Sequence, residues 1–172
     1  MYIEKMVERD VLISTKVRHV GLFDFKETYR ILFEWFIDQG FDFNEKSYKE
    51  VAGAGGAKEL EIEWECVRKV SDYFKFYIKT VWKIIGMTSV EVEVDGVKQK
   101  MNKGDLTITF SSVLLKDYEE KWSKTPFLNF LRTLYDRYLI KERITAYEMK
   151  LITEMEQLVA QAKSFLALTG RR

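Results

Sequence analysis

The sequence predicts an α+β fold in which an antiparallel sheet of about six to seven strands packs against an N-terminal helix and a long C-terminal helix. Alternating apolar and polar side chains through residues 59–115 are typical of strands that bury one face. After Pro126, apolar residues recur at helical spacing, and no Gly or Pro interrupts residues 127–169. At 172 residues the chain is most simply one domain, with a strand-helix-sheet body over 7–125 and a helical segment over 126–169.

A strand and a helix are predicted first. From Val7 to His19, apolar side chains occupy alternate positions, which predicts a strand. The spacing then becomes helical at Phe25, Tyr29, Leu32, Phe33 and Phe36. Asp24 can cap the start of this helix, and Gly40 lies where a helix C-terminus ends. A poorer pattern over residues 45–51 predicts a short second strand.

The alternation is sharpest in residues 59–85, where glutamates and then lysines alternate with apolar residues. The even-numbered positions form what we call the dry face of the sheet: Leu60, Ile62, Trp64, Cys66, Phe74, Phe76, Ile78, Trp82 and Ile84. For Trp64 and Phe76 to share this face, the turn near Ser71 must be an odd-length loop or carry a bulge. Such a register also sets the glutamates opposite lysines of the next strand.

A hairpin is predicted at Asp95-Gly96, because this pair favours a type I′ turn. The turn sets opposite charges across the two strands, at Glu93 and Lys98 and at Glu91 and Lys100. The sequence NKGD at residues 102–105 predicts a further turn. Residues 59–115 are therefore expected to form five consecutive antiparallel strands.

Two apolar stripes follow in the helical segment. The first stripe consists of Phe127, Phe130, Leu131, Leu134 and Tyr138, and the second of Leu151, Met155, Leu158, Ala162 and Phe165. We expect the first stripe to cover the dry face. The second is then free to bind a partner, in a homodimer or a larger assembly, through Leu151, Met155, Leu158 and Phe165. The alternative is that the chain bends within residues 140–145 and that the second stripe covers the sheet.

The element order of strand, helix, six strands and a long C-terminal helix resembles that of the helix-grip fold of the START-like or SRPBCC superfamily. The glycine-rich loop with Gly53, Gly55 and Gly56 also resembles a loop of some members. The resemblance implies a curved sheet with the C-terminal helix across its concave face, although the usual second short helix is missing here. The stretch KDYEEKW…PFLNFLRTLYDRYLI is similar to an archaeal family to which no function is attached.

Members of this superfamily commonly hold a small apolar molecule between sheet and helix. The residues that would line such a cavity here are Trp64, Cys66, Phe76, Ile78, Trp82, Ile108, Phe110, Phe130 and Leu134. We therefore predict non-enzymatic binding of a small hydrophobic ligand or a protein partner. The alternative is a structural or interaction module that assembles through its C-terminal helix, because bulky aromatic side chains favour a solid core.

Other function classes lack their usual residues. One Cys, Cys66, and one His, His19, can build neither a zinc site nor an internal disulfide, so we expect no cofactor. No nucleophile motif or acid–base pair is visible, so an enzyme of the cyclase or hydrolase kind is the third alternative, after the two binding functions. The formal net charge of +1 and the glutamates among the lysines argue against nucleic-acid binding. No apolar run approaches the roughly 20 residues of a membrane span. Without a secretory signal, we expect a cytoplasmic protein.

Overall fold

The structure, a computed structural model, describes residues 9–118 and 125–170. Its elements in chain order are β1 (Arg9–Phe23), α1 (Phe25–Asp38), β2 (Asp42–Ala52), β3 (Lys58–Lys69), β4 (Phe74–Val94), β5 (Val97–Lys116), α2 (Pro126–Leu134) and α3 (Lys141–Thr169). A 3-10 turn at Ala54–Gly56 precedes β3, and a π-helical turn at Tyr135–Leu139 joins α2 to α3. Val7, where the first strand is predicted to begin, lies outside the described residues.

The five strands form one antiparallel sheet in the order β1-β5-β4-β3-β2. This sheet, the helix near the N-terminus and the long C-terminal helix confirm the predicted α+β class. The predicted count of about six to seven strands is wrong. The sheet is neither closed nor strongly curled.

The strand count is lower because β4 and β5 continue past glycines that predict turns. The register between them shifts from Ile85 to Thr88, so Gly86 and Met87 form a bulge within β4. Gly86 has a φ of 64°, which glycine adopts without strain. A Cβ on Gly104 would lie only 3.1 Å from the Ile85 carbonyl oxygen. The two glycines therefore allow a close approach at a bulge and do not reverse the chain.

The predicted strand register is confirmed. Asp95 and Gly96 have φ values of 51° and 79°, the two positive values of a type I′ turn. Opposite charges face each other across β4 and β5, at Glu93 and Lys98 and at Glu91 and Lys100. Trp64 of β3 is paired with Thr80 of β4, so the two residue numbers sum to an even number, as a shared dry face requires. Glutamates of β3 lie opposite lysines of β4, at Glu65 and Lys79 and at Glu61 and Lys83.

The dry face is covered by α1 and α3. The helix side chains that are fully buried in the core with this face are Leu32 and Phe36 of α1 and Leu151, Met155 and Leu158 of α3. The prediction that the helix after Pro126 covers this face is wrong, and the alternative in which the second stripe covers it is confirmed. Length explains this outcome. With 29 residues, α3 is about 44 Å long, whereas the nine residues of α2 span only about 14 Å. Five strands side by side span about 19 Å, so α3 is long enough to cross the whole sheet and α2 is not.

The helical segment consists of two helices because a wide turn interrupts it. The Ile140 N–H donates to the Tyr135 carbonyl oxygen at 3.1 Å, which is the hydrogen bond of a π-turn. Ile140 itself leaves helical geometry, with φ of −121° and ψ of 11°. The break therefore lies at the start of residues 140–145, where a bend is predicted.

Candidate functional site

The structure divides the predicted cavity residues into two groups. Seven of them are fully buried on the dry face: Trp64, Cys66, Phe76, Ile78, Trp82, Ile108 and Phe110. Phe130 and Leu134 instead lie on the protein surface, where they are 59% and 39% exposed. Phe76, Trp82 and Phe130 therefore do not face one another across a cavity.

Aromatic rings fill the space around the two buried tryptophans. The ring centres of Trp64 and Trp82 are 5.0 Å apart. Tyr29 of α1 lies 4.7 Å from Trp64 in an edge-on arrangement, and Phe43 of β2 lies 4.9 Å from it. The Trp64 indole N–H donates to the Glu45 carboxylate at 3.3 Å, and so does the Tyr29 hydroxyl at 2.5 Å. Burial and this carboxylate raise the pKa of Tyr29. The space between α1 and the sheet is therefore filled here by a packed aromatic cluster.

The two residues with reactive side chains lie in structural positions. Burial raises the pKa of the Cys66 thiol to about 12, so the thiolate that a nucleophile needs is not formed near neutral pH. A ring nitrogen of His19 lies 2.8 Å from the carbonyl oxygen of Leu22 in the same strand. Among the described residues, no group of three or more His, Cys, Asp or Glu side chains can hold a metal ion.

The predicted partner-binding residues belong to the core. Within α3, the side chains of Leu151, Met155 and Leu158 are fully buried, and that of Phe165 is half-buried. Leu166, the next residue along the chain, is buried in its place. This stripe therefore faces the sheet and is not available to a partner.

The first stripe is the one that faces outward. Four of its side chains form what we call the α2 face, with exposed fractions of 67% for Phe127, 59% for Phe130, 39% for Leu134 and 71% for Tyr138. Thr125 caps this helix by accepting from the Leu128 N–H at 3.2 Å. The α2 face is thus an exposed apolar row that runs along α2 and ends at Tyr138 in the π-turn.

The charged residue of α2 points away from this row. Arg132 is only 8% exposed. Its guanidinium lies 3.9 Å from Asp117 and 3.8 Å from Asp136, which are themselves mostly buried. The inner side of α2 therefore carries the ion pairs and the outer side carries the apolar rings. The stripe is predicted from the sequence, but its outward direction is not, because an Arg on the opposite side of a helix is typical of a stripe that is buried.

A cleft that the sequence does not predict lies beside the π-turn. Its volume is about 260 Å³, and Tyr73, Tyr135, Arg143 and Tyr147 contribute to its walls. These residues come from the β3–β4 turn, the π-turn and α3, so no local sequence pattern connects them. Two other open clefts of similar size lie between α1 and β2 and between α3 and β1.

The face of the sheet opposite the dry face is polar and carries ion pairs. Lys79 of β4 lies 2.8 Å from Glu63, and Lys46 of β2 lies 2.9 Å from Glu65. The Tyr77 hydroxyl also donates to Glu65 at 2.9 Å. None of the helices in the described part of the chain is both long and apolar enough to cross a membrane.

Comparison with known proteins adds little to this geometry. No protein-family model matches the chain, and no curated protein matches it. Among solved structures, the chain is similar to an uncharacterised protein from Rhizobium leguminosarum. The two are 10% identical, the match covers 95% of this chain and 99% of that one, and the TM-score is 0.26. A TM-score this low carries no argument about fold or function.

Proposed function

We propose that this chain is a non-enzymatic helix-grip domain of the START-like or SRPBCC kind that assembles with a second copy of itself through the α2 face. The observation that carries the proposal is the exposed row of Phe127, Phe130, Leu134 and Tyr138 on one side of a capped helix. The element order and the helix laid across one face of an antiparallel sheet support the helix-grip assignment.

Exposure of this row is costly in water. Covering a Phe or Leu side chain contributes roughly 1.5–3 kcal/mol, and the α2 face has three of them in addition to Tyr138. On the dry face, by contrast, the large aromatic side chains Trp64, Phe76 and Trp82 are all fully covered. Contiguous apolar patches on such a protein mark interaction sites.

A second copy is the occupant that the charges favour. The exposed side of α2 carries no charge from Thr125 to Leu134, because Arg132 is turned inward to its carboxylates. Two copies can therefore meet without like-charge repulsion. In an antiparallel two-fold arrangement, Phe127 of each copy lies opposite Leu134 of the other, and Phe130 lies beside the axis. The row is thus complementary to itself.

Sedimentation velocity tests this assembly. The wild-type protein is expected to sediment as a dimer, and the double substitution Phe130→Glu with Leu134→Glu as a folded monomer, because the two carboxylates would be buried without partners. Met149→Glu is the matched control, since Met149 is an exposed apolar residue of α3 outside the α2 face, 57% exposed. This control should remain a dimer.

Two results would contradict the proposal. The first is a wild-type protein that sediments as a monomer at every concentration tested. The second is a monomer that binds anionic lipid vesicles and loses that binding in the Phe130→Glu and Leu134→Glu variant, which would make the α2 face a membrane-binding surface.

A second candidate function is the binding of a small hydrophobic ligand between the sheet and the helices. Three buried polar atoms of the dry face support it, because they have no hydrogen-bond partner among the described residues: Thr80 Oγ1, Trp82 Nε1 and Ser112 Oγ. Each such atom costs about 1–3 kcal/mol, and a ligand with a polar group beside one of them would satisfy that atom. A ligand there requires α1 to move outward, since Phe25 and Tyr29 lie 6.2 and 6.0 Å from the Trp82 ring.

Native mass spectrometry of freshly purified protein tests this second candidate. A retained ligand adds a discrete mass to the subunit, and the fraction of subunits that carry this added mass should fall when Trp82 is replaced by Phe, which removes the indole N–H. A subunit mass that equals the mass of the chain alone contradicts ligand binding, and it leaves the assembly through the α2 face to be decided by sedimentation.

A further inference from the structure

The cleft beside the π-turn has flat aromatic walls. Tyr73 and Phe74 meet edge to face with their ring centres 5.0 Å apart, and Tyr135 approaches Tyr73 at 6.3 Å. Tyr147 of α3 lies 5.0 Å from Phe74 on the other side. Rings arranged in this way offer both edges and faces to a planar guest. The volume of about 260 Å³ is just below the usual range of about 300–1,000 Å³ for ligand pockets, so the cleft suits a ligand with a single ring.

The tyrosine at the base of the cleft is fixed by a hydrogen bond. The Tyr73 hydroxyl donates to the Asp136 carboxylate at 2.9 Å. Burial and this carboxylate raise the pKa of Tyr73, so the hydroxyl stays protonated and keeps its donor role. Ser71 contributes to the same turn by accepting from the backbone N–H groups of Tyr73 and Phe74 at 3.2 and 2.9 Å. These contacts hold the aromatic wall in place.

Two polar groups that line the cleft have no hydrogen-bond or ion-pair partner among the residues that the structure describes. Arg143 makes no ion pair, and the Tyr147 hydroxyl makes no hydrogen bond, with any residue that the structure describes. Asp72, on the same cleft, is paired with Lys69 at 3.0 Å. The cleft therefore offers the guanidinium of Arg143, a group that binds carboxylates through two parallel hydrogen bonds.

The π-turn explains how these groups come together. Its wider hydrogen-bonded loop, from Tyr135 to Ile140, places both residues on the cleft and lets α3 leave in a new direction. Arg143 then follows one turn of helix later. Turns of this kind are frequent at functional sites.

We propose that this cleft is a binding site for a small aromatic carboxylate, whose ring packs between Tyr73 and Tyr147 while its carboxylate pairs with Arg143. The cleft lies at the edge of the sheet–helix interface, where Phe74 meets Tyr147 of α3, and neither Trp64 nor Trp82 lines it. It also does not depend on the proposed assembly, since Phe130 and Leu134 do not line it.

Calorimetric titration with three probes tests the chemistry of the site. Benzoate is expected to bind with measurable affinity, and benzamide and cyclohexanecarboxylate each roughly tenfold or more weakly, because one lacks the charge and the other the flat ring. Arg143→Gln should weaken benzoate binding by a similar factor and leave benzamide binding unchanged, while Arg143→Lys should retain part of the preference. Arg137→Gln is the matched control, since Arg137 is exposed on the π-turn but does not line the cleft.

Amide chemical shifts locate the bound probe. Benzoate should perturb residues 71–74 and 140–147, and the Phe130→Glu with Leu134→Glu variant should show the same perturbation as the wild type. Absence of saturable benzoate binding, equal affinity of Arg143→Gln and wild type, or perturbations confined to other parts of the chain would each overturn the proposal.

Discussion

Arg68 joins the sheet to α3 through a mostly buried ion pair. Its Nη2 donates to both carboxylate oxygens of Glu154, at 2.7 and 2.9 Å, and its guanidinium lies over the rings of Phe41 and Phe76 at 4.6 and 5.1 Å. The two paired side chains are 16% and 12% exposed. Because solvent screens such a pair weakly, the loss of one partner leaves a charge in a dry place.

Glu154→Ala is therefore expected to lower the free energy of unfolding by about 3–5 kcal/mol. Asp105→Ala provides the comparison, because it breaks the Arg18–Asp105 pair, in which the arginine is 66% exposed. That loss should be about 0–1 kcal/mol. Urea unfolding measures both values, and equal losses would show that the buried pair has no special role.

Cys66 gives a stability change with pH whose sign follows from its environment. Burial raises the pKa of its thiol from 9.0 to about 12 in the folded protein. Between these values the unfolded chain loses the proton and the folded chain keeps it, so stability falls as pH rises. The contribution of this thiol is fully present below pH 9.0.

Cys66→Val should remove that part of the pH dependence. We expect wild-type stability to fall more steeply than that of the variant between pH 9.0 and about 12, with a difference in slope near 1.4 kcal/mol per pH unit. The buried tyrosines titrate in the same direction in both proteins, so the comparison isolates Cys66. Parallel curves from urea unfolding across this range would contradict the burial argument.

At the scale of elements, α2 and α3 carry similar apolar stripes but opposite roles. Periodicity alone could not assign them, because both stripes have the spacing of a helix that packs on a sheet. The deciding facts are the π-turn at Tyr135–Leu139 and the length of α3, and neither has a local signature in the sequence. Arg132 gives no warning in the sequence, because a charged residue opposite an apolar stripe is what a buried stripe predicts, and its inward position is seen only in the structure.

The strands illustrate what sequence patterns do determine. Alternation from Leu60 to Cys66 and the Asp95-Gly96 pair were enough to predict the dry face and the register of two hairpins. Gly86 and Gly104 made the predicted number of strands too high, because a glycine that permits a bulge looks the same in sequence as one that permits a turn. The cleft could not be predicted, since it depends on three segments that only the π-turn brings together.

Met155→Glu together with Leu158→Glu tests the assignment of α3 to the core. Both side chains are fully buried against the sheet, so two carboxylates there should unfold the protein at ordinary temperature. Circular dichroism and a thermal melt report the outcome, with Met149→Glu as the exposed control on the same helix. A double variant that stays folded would show that α3 is not the cover of the dry face.

At the scale of the whole molecule, two helices complete the core and one remains outside. The dry face is closed by α1 and α3, so the apolar row of α2 serves no packing role within the described residues. The ion pair of Arg132 with Asp117 joins this helix to the end of β5, with its rings outward. We therefore propose that the α2 face is the surface through which two copies meet.

Cysteine cross-linking tests that claim most directly. Phe130→Cys places a thiol beside the proposed two-fold axis, and Met149→Cys places an equally exposed thiol on α3, while the buried native Cys66 stays unreactive. With a short bis-maleimide reagent, Phe130→Cys is expected to give a covalent dimer in high yield and Met149→Cys only traces. No dimer from Phe130→Cys, or equal yields from the two variants, would contradict assembly through the α2 face.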